Sequence, residues 1–121
     1  MHKEIAEQWV AALRSGEYQQ GRGALHDGDT FCCLGVLCDL FPGRQWSRTS
    51  KNAKHLCSAG ECSDYSVLPE SVRKWAGICD SSPPGTETDS LAELNDGEGL
   101  SGGQWTFHQI ADLIEEKWED L

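Results

Sequence analysis

The chain has 121 residues, with Lys+Arg 10 against Asp+Glu 20 and a formal net charge of -10. That length suits one domain, residues 1–121, able to bury a modest core without obligatory disulfides or metal. The charge excludes direct nucleic-acid binding by bulk electrostatics and points long-range steering at cationic partners, although the arginines and lysines of the first two thirds suffice for a local anion pocket.

In chain order, Ile5, Ala6, Trp9, Val10 and Leu13 recur at helical spacing and predict an amphipathic helix over 3–14, stopped by Ser15-Gly16. The N-terminal segment mixes acidic with apolar residues and has no uninterrupted apolar run, so it reads as no signal peptide; nothing later is long enough to span a bilayer. Cytoplasmic residence follows by default, with thiols kept reduced. Residues 17–31 predict a loop and then a short hairpin turning at Asp27-Gly28.

From Cys33 to Phe41 the chain is apolar on almost every side of a helical wheel, broken only by the line Gly35–Asp39, which predicts a buried helix ended by Pro42-Gly43. Residues 43–67 lose periodicity and predict a long loop or irregular insertion, with short strands around Trp46 and Val67 as the alternative. Leu68-Pro69 opens a short helix in which proline takes the first helical position and Gly77 closes the end. Residues 80–90 read as a linker-like surface loop, and LAELND as a strand or a short turn before a glycine-rich loop over 97–103. Thr106 with Gln109 forms a capping box for a last helix that points Phe107, Ile110, Ala111, Ile114 and Trp118 inward. The expected fold is α+β: one small compact domain with N- and C-terminal helices, a central buried helix and a small antiparallel sheet or hairpin.

Several stretches together carry a resemblance. Cys32-Cys33-Leu34-Gly35-Val36-Leu37-Cys38-Asp39 is preceded by Trp9-Val10-x-Ala12-Leu13-Arg14-Ser15-Gly16-x-Tyr18-x-Gln20-Gly21 and followed by Leu68-Pro69-x-x-Val72-x-x-Trp75-Ala76-Gly77, Leu94-Asn95-Asp96 and Phe107-x-x-Ile110-Ala111-Asp112-x-Ile114. This pattern resembles a family of small proteins of unassigned function encoded widely by bacteriophages. The resemblance implies an accessory protein made in bacterial cytoplasm, where small acidic proteins counter host defence by sequestering nucleotide signals or by binding a defence protein.

Two residue sets could carry chemistry. His55, Cys57 and Cys62, with Cys79 as a fourth ligand, have thiolate and imidazole spacing suited to a structural zinc; the alternative is reduced, partly buried thiols. The second set is for ligand binding. Gln20 and Arg22 lie in a glycine-rich turn, Arg44 and Trp46 share a loop, and Asn95, Asp96, Trp105 and Thr106 flank the last one. Arginine grips phosphate while an indole stacks on a base; the competing readings are turns at Gln20–Gly23 and Asn95–Gly97. Cys32, Cys33 and Cys38 read as small core hydrophobes rather than redox centres, because their neighbours are apolar. Glu115, Glu116, Glu119 and Asp120 are either a solvated face or a surface for a basic partner.

No nucleophile elbow, HExxH or kinase signature occurs, and His26 with Asp27 and Asp29 is too isolated to name an acid–base pair, so no enzyme is expected. The leading expectation is a non-catalytic protein that binds and sequesters a nucleotide-derived immune signal. The alternatives are an acidic inhibitor of a host defence or nucleic-acid-binding protein, and a zinc-stapled structural adaptor. No cofactor beyond that zinc is expected, and a homo-oligomer with its pocket between protomers stays open.

Overall fold

The computed structural model describes residues 1–50, 53–58, 61–62, 67–100 and 102–121, and side chains for all of these except residues between 47 and 62. The first helix, α1, spans Lys3–Arg14 and buries Ala6, Trp9, Val10 and Leu13, the face that the periodicity predicts. Glu4 in its first turn and Arg14 in its last suit the helix dipole. Beyond it, β1 (Gln19–Gln20) runs parallel to β3 (Thr30–Phe31), while β2 (His26–Asp27) pairs antiparallel with β3 through the expected hairpin at Gly28.

The buried helix α2, Cys33–Leu40, is capped by Cys32, whose Sγ accepts the Gly35 N–H at 3.4 Å. Cys33 to Cys38 are all buried, and each large aliphatic side chain taken from water there contributes about 1.5–3 kcal/mol. Trp9 ties α1 to this helix by donating its indole N–H to the Cys33 carbonyl at 2.9 Å. An indole N–H with no solvent access needs that partner.

The stretch after α2 follows the alternative expectation at Trp46, which lies in a strand, and departs from the rest. Instead of a long irregular insertion, β4 (Gln45–Ser50) and β5 (Ala53–Ser58) form an antiparallel hairpin, extended by β6 (Glu61–Cys62), and Val67 lies outside any strand. The ladder is satisfied by backbone hydrogen bonds and needs no apolar alternation, which is why periodicity misses it. β5 joins this hairpin to the first by pairing Lys54 with His26 and Ala53 with Asp27. Among the described residues the sheet therefore runs β1-β3-β2-β5-β4, with β6 also on β5, and is mixed rather than purely antiparallel.

α3 spans Glu70–Ala76, with Pro69 at the cap rather than at the first helical position, and ends at Gly77. The segment 80–90 is no free linker: Pro84 bridges to Ser90, and Asp89 is buried with its carboxylate accepting the Leu100 N–H at 2.8 Å. LAELND is helix α4, Leu91–Asp96, rather than a strand or turn. Ser90 caps its start by accepting from the Glu93 N–H, and Gly97 closes its end at φ 74, so that Leu91 and Leu94 reach the core. α5 spans Phe107–Lys117 behind the predicted two-way capping box of Thr106 and Gln109, and a 3-10 turn, Trp118–Asp120, finishes the chain. α1 packs on α5 and α2, and α2 on α4, so the core is helical and the sheet lies beside it.

Candidate functional site

The residues expected to read a ligand fall into two groups. Gln20, Arg22, Asn95, Asp96 and Trp105 meet where the loop after β1 crosses the end of α4. Gln20 Nε2 donates to Asn95 Oδ1 at 3.0 Å and to the Trp105 carbonyl at 2.7 Å. Asn95 Nδ2 donates to the Gly21 carbonyl and to Asp96 Oδ1, both at 2.9 Å, while Asn95 Oδ1 also accepts the Cys33 N–H at 3.1 Å. Asp96 Oδ1 takes the Gly23 N–H at 3.0 Å, and Arg22 leans on Gln104 Oε1 at 3.3 Å. Asn95 is completely buried. These polar atoms are thus engaged within the chain, and Asn95 staples the β1 loop to the N-terminus of α2. Thr106 is occupied too, as the cap of α5.

Arg44 and Trp46 belong elsewhere, around Asp39 at the end of α2. Asp39 accepts from Tyr18 Oη at 2.8 Å, Arg44 Nε at 2.7 Å and Trp46 Nε1 at 3.1 Å. Burial alone would push this carboxyl up, but the hydrogen bonds from Tyr18, Trp46 and Arg44 outweigh it and hold it below the usual carboxylate range. Burial first, and then the Asp39 carboxylate, push the Tyr18 hydroxyl up to about 12. The rings of His26, Phe31 and Trp46 pack beside this knot, with His26 and Phe31 centroids 3.9 Å apart. Arg44 is therefore paired through its Nε with a carboxylate of its own chain. A lone Asp on an otherwise apolar helix was the sequence signal for this arrangement, since a half-buried carboxylate needs donors.

The thiols of Cys32, Cys33 and Cys38 are free and buried, and burial drives all of them up, Cys32 to about 12. A thiol held protonated is neither nucleophile nor metal ligand. In the folded protein a maleimide is expected to label exposed Cys79 and leave these three intact until denaturant is added, read by peptide mass mapping. Equal labelling of any of them in the native state would restore a redox role. For the zinc set, the side chains of His55, Cys57 and Cys62 lie outside the described residues, although the backbone register pairs Cys57 with Cys62. Cys79 sits in the exposed segment after α3, its carbonyl accepting from Arg73. Among the described residues no group of His, Cys, Asp and Glu is arranged to hold a metal ion.

An open feature lies between the terminal helices. α1 and α5 run antiparallel: Arg14 bonds Asp112 at 2.5 Å and Glu115 at 2.6 Å at one end, and the Met1 ammonium donates to the Leu121 carbonyl at 3.2 Å at the other. Between them is a groove of about 360 Å³ with Ala6, Val10, Ala11 and Trp118 as its apolar surface. Lys3 and Glu7, paired at 4.0 Å, and the Arg14–Glu115 pair also line this groove, and elsewhere Arg44 pairs with Asp39 and Lys74 with Glu70.

Fold and site together define a small α+β domain whose polar residues staple loops to a helical core and whose apolar groove opens between its terminal helices. The chain belongs to the family described as Domain of unknown function (DUF8296), whose model matches residues 1–118. No curated protein and no solved structure matches it. Among the described residues no helix is long and apolar enough to cross a membrane.

Proposed function

We propose that the protein is a non-catalytic acidic binding protein that covers a basic surface of another protein; in the phage setting implied by the sequence resemblance, that partner is a host defence or nucleic-acid-binding protein in the bacterial cytoplasm. The observation that carries this reading is the way charge is spent. Arg14, Arg44, Lys3 and Lys74 are each paired with a carboxylate of the same chain, so the surplus from a net charge of -10 is left on the outside. Such a surface attracts a cationic partner over distance and repels nucleic acid. A sequestered nucleotide would instead need unspent donors, and the side-chain amide groups of Gln20 and Asn95 each donate twice within the chain.

Crosslinking of the tagged protein in bacterial cells, followed by binding measurements with the purified partner, tests it. Expected is one basic protein bound in fixed stoichiometry, released by high salt and weakened when Glu116, Glu119 and Asp120 are neutralised together with Glu115 left on Arg14. The idea fails if heat releases a nucleotide from the purified protein, or if cyclic nucleotides or ADP-ribose derivatives raise its melting temperature while no basic partner is found.

A further inference from the structure

We infer that the β4–β5 hairpin is a basic docking arm whose occupant is the acidic end of α5 on a second copy of the chain. It rests on the acidic-surface reading above to the extent that the carboxylates are the same. Residues 40–60 carry Arg44, Arg48, Lys51 and Lys54 and no Asp or Glu, so four of the ten cations and none of the twenty acids fall there. Asp39 holds Arg44 through its Nε. Arg48 and Lys54 are register partners on β4 and β5, and His26 on β2 continues that row. Residues directly opposite share a face of the sheet with Cα atoms about 5 Å apart, and like charges placed so are destabilising. The nearest acid in register, Asp27, pairs with Ala53 one position along and so belongs to the other face, while Glu61 pairs with Ser58 at the far end of β5. Among the described residues β4 is the last strand of the sheet, which puts the pair at its edge.

The complement stands on the same chain. Glu116, Glu119 and Asp120 are exposed at the C-terminal end of α5 and in its closing turn, where the helix dipole favours cations. Arg14 takes Asp112 and Glu115 rather than these three, and Lys117 is the only Lys or Arg in residues 107–121. Glu116 and Glu119, three apart, lie about 5–6 Å from one another, close to the spacing of the two cations. Each patch is thus unfavourable to its own chain and relieved by the other. Nucleic acid or an anionic membrane suits the arm less well, because an extended polyanion runs past two cations and meets the acidic body of the same molecule. A net charge of -10 on each copy opposes association at long range, but at physiological salt a Debye length of about 8 Å leaves the contact charges to decide. The contact is head-to-tail, each copy offering its arm to one neighbour and its acidic end to another. Carboxylates covered in this way are withheld from a basic partner, so self-association competes with partner binding.

Sedimentation velocity of the purified full chain tests this. The weight-average mass is expected to rise with concentration at about 50 mM salt and to return to that of one chain at about 500 mM. Arg48→Glu with Lys54→Glu is expected to weaken association at least about tenfold, as is Glu116→Lys with Glu119→Lys, each with the wild-type circular dichroism spectrum. Mixing the two variants restores association, because each patch then meets one of opposite sign. A chain that stays monomeric up to about 1 mM at low salt, or a mixture no more associated than its components, overturns the arm. Should a variant not fold, carbodiimide crosslinking of isotopically distinct wild-type copies decides the same point: a bond from Lys54 to Glu116 or Glu119 between copies is expected, and its absence at low salt overturns the arm. If the mixture associates and no basic partner is found in cells, the acidic-surface reading falls alone; if a basic partner binds a chain that stays monomeric, the arm falls alone.

Discussion

Gly35→Ala is expected to destabilise the protein by about 3 kcal/mol or more, enough to leave much of it unfolded if the fold is as marginal as most domains. A Cβ at this position would lie 1.7 Å from the Leu25 carbonyl oxygen and 2.6 Å from its carbon. Those are backbone atoms, and no rotamer change relieves them. Moving that segment, which leads into β2, would cost more than room. The Leu25 carbonyl accepts the Cys32 N–H at 3.2 Å at the mouth of α2, and Leu25 itself is fully buried. Chemical denaturation of the variant checks this; a wild-type midpoint would mean that α2 does not cross the chain as closely as described. The role of Gly35 is thus steric.

Asn95→Ala is expected to cost about 3 kcal/mol, measured as a loss of unfolding free energy. The substitution removes the acceptor of the Cys33 N–H, which is fully buried and has no water to turn to. It also frees Gly21 and Gln20, but these are partly exposed and regain hydrogen bonds from solvent, so most of the cost comes from Cys33. Asn95→Asp keeps the acceptor, loses both donations and puts a charge beside Asp96. Burial and that neighbour raise the new carboxyl's pKa in the folded state, so this variant is weakest at neutral pH and recovers as the pH falls and the group takes a proton. Gln20→Ala combined with Asn95→Ala should cost less than the two single losses added, because they share one hydrogen bond. If Asn95→Ala unfolds like the wild type, Asn95 is not a staple, and a role in reading a ligand becomes the better account.

The terminal helices and α2 were legible because their signals are short-range: apolar residues every three or four positions in α1, a capping box at Thr106 and Gln109, and the unbroken apolar run after Cys32. α4 was missed because six residues are too few for periodicity to speak, and its evidence was the pair of caps, Ser90 and Gly97. Of the β4–β5 hairpin only the strand at Trp46 was legible, and then as an alternative, because the polar sequence gives no alternation from which to read its partner. The ligand-binding residues were right about proximity in part: Gln20, Arg22, Asn95 and Asp96 do meet, yet a list of donors and acceptors does not reveal that they satisfy one another.

By itself the amino-acid order determined what depends on neighbours a few residues apart: helix ends, the buried character of α2, the inert setting of its thiols and the acidic balance of the whole. Only the tertiary structure decided what depends on groups brought together from distant positions. Asn95 finds the Cys33 N–H 62 residues away, and Arg14 finds Glu115 across 101. A hydrogen bond or an ion pair forms by distance in space, which the order of residues leaves open until the chain has packed. That packing spends the polar side chains which looked free, and leaves the groove between α1 and α5 open.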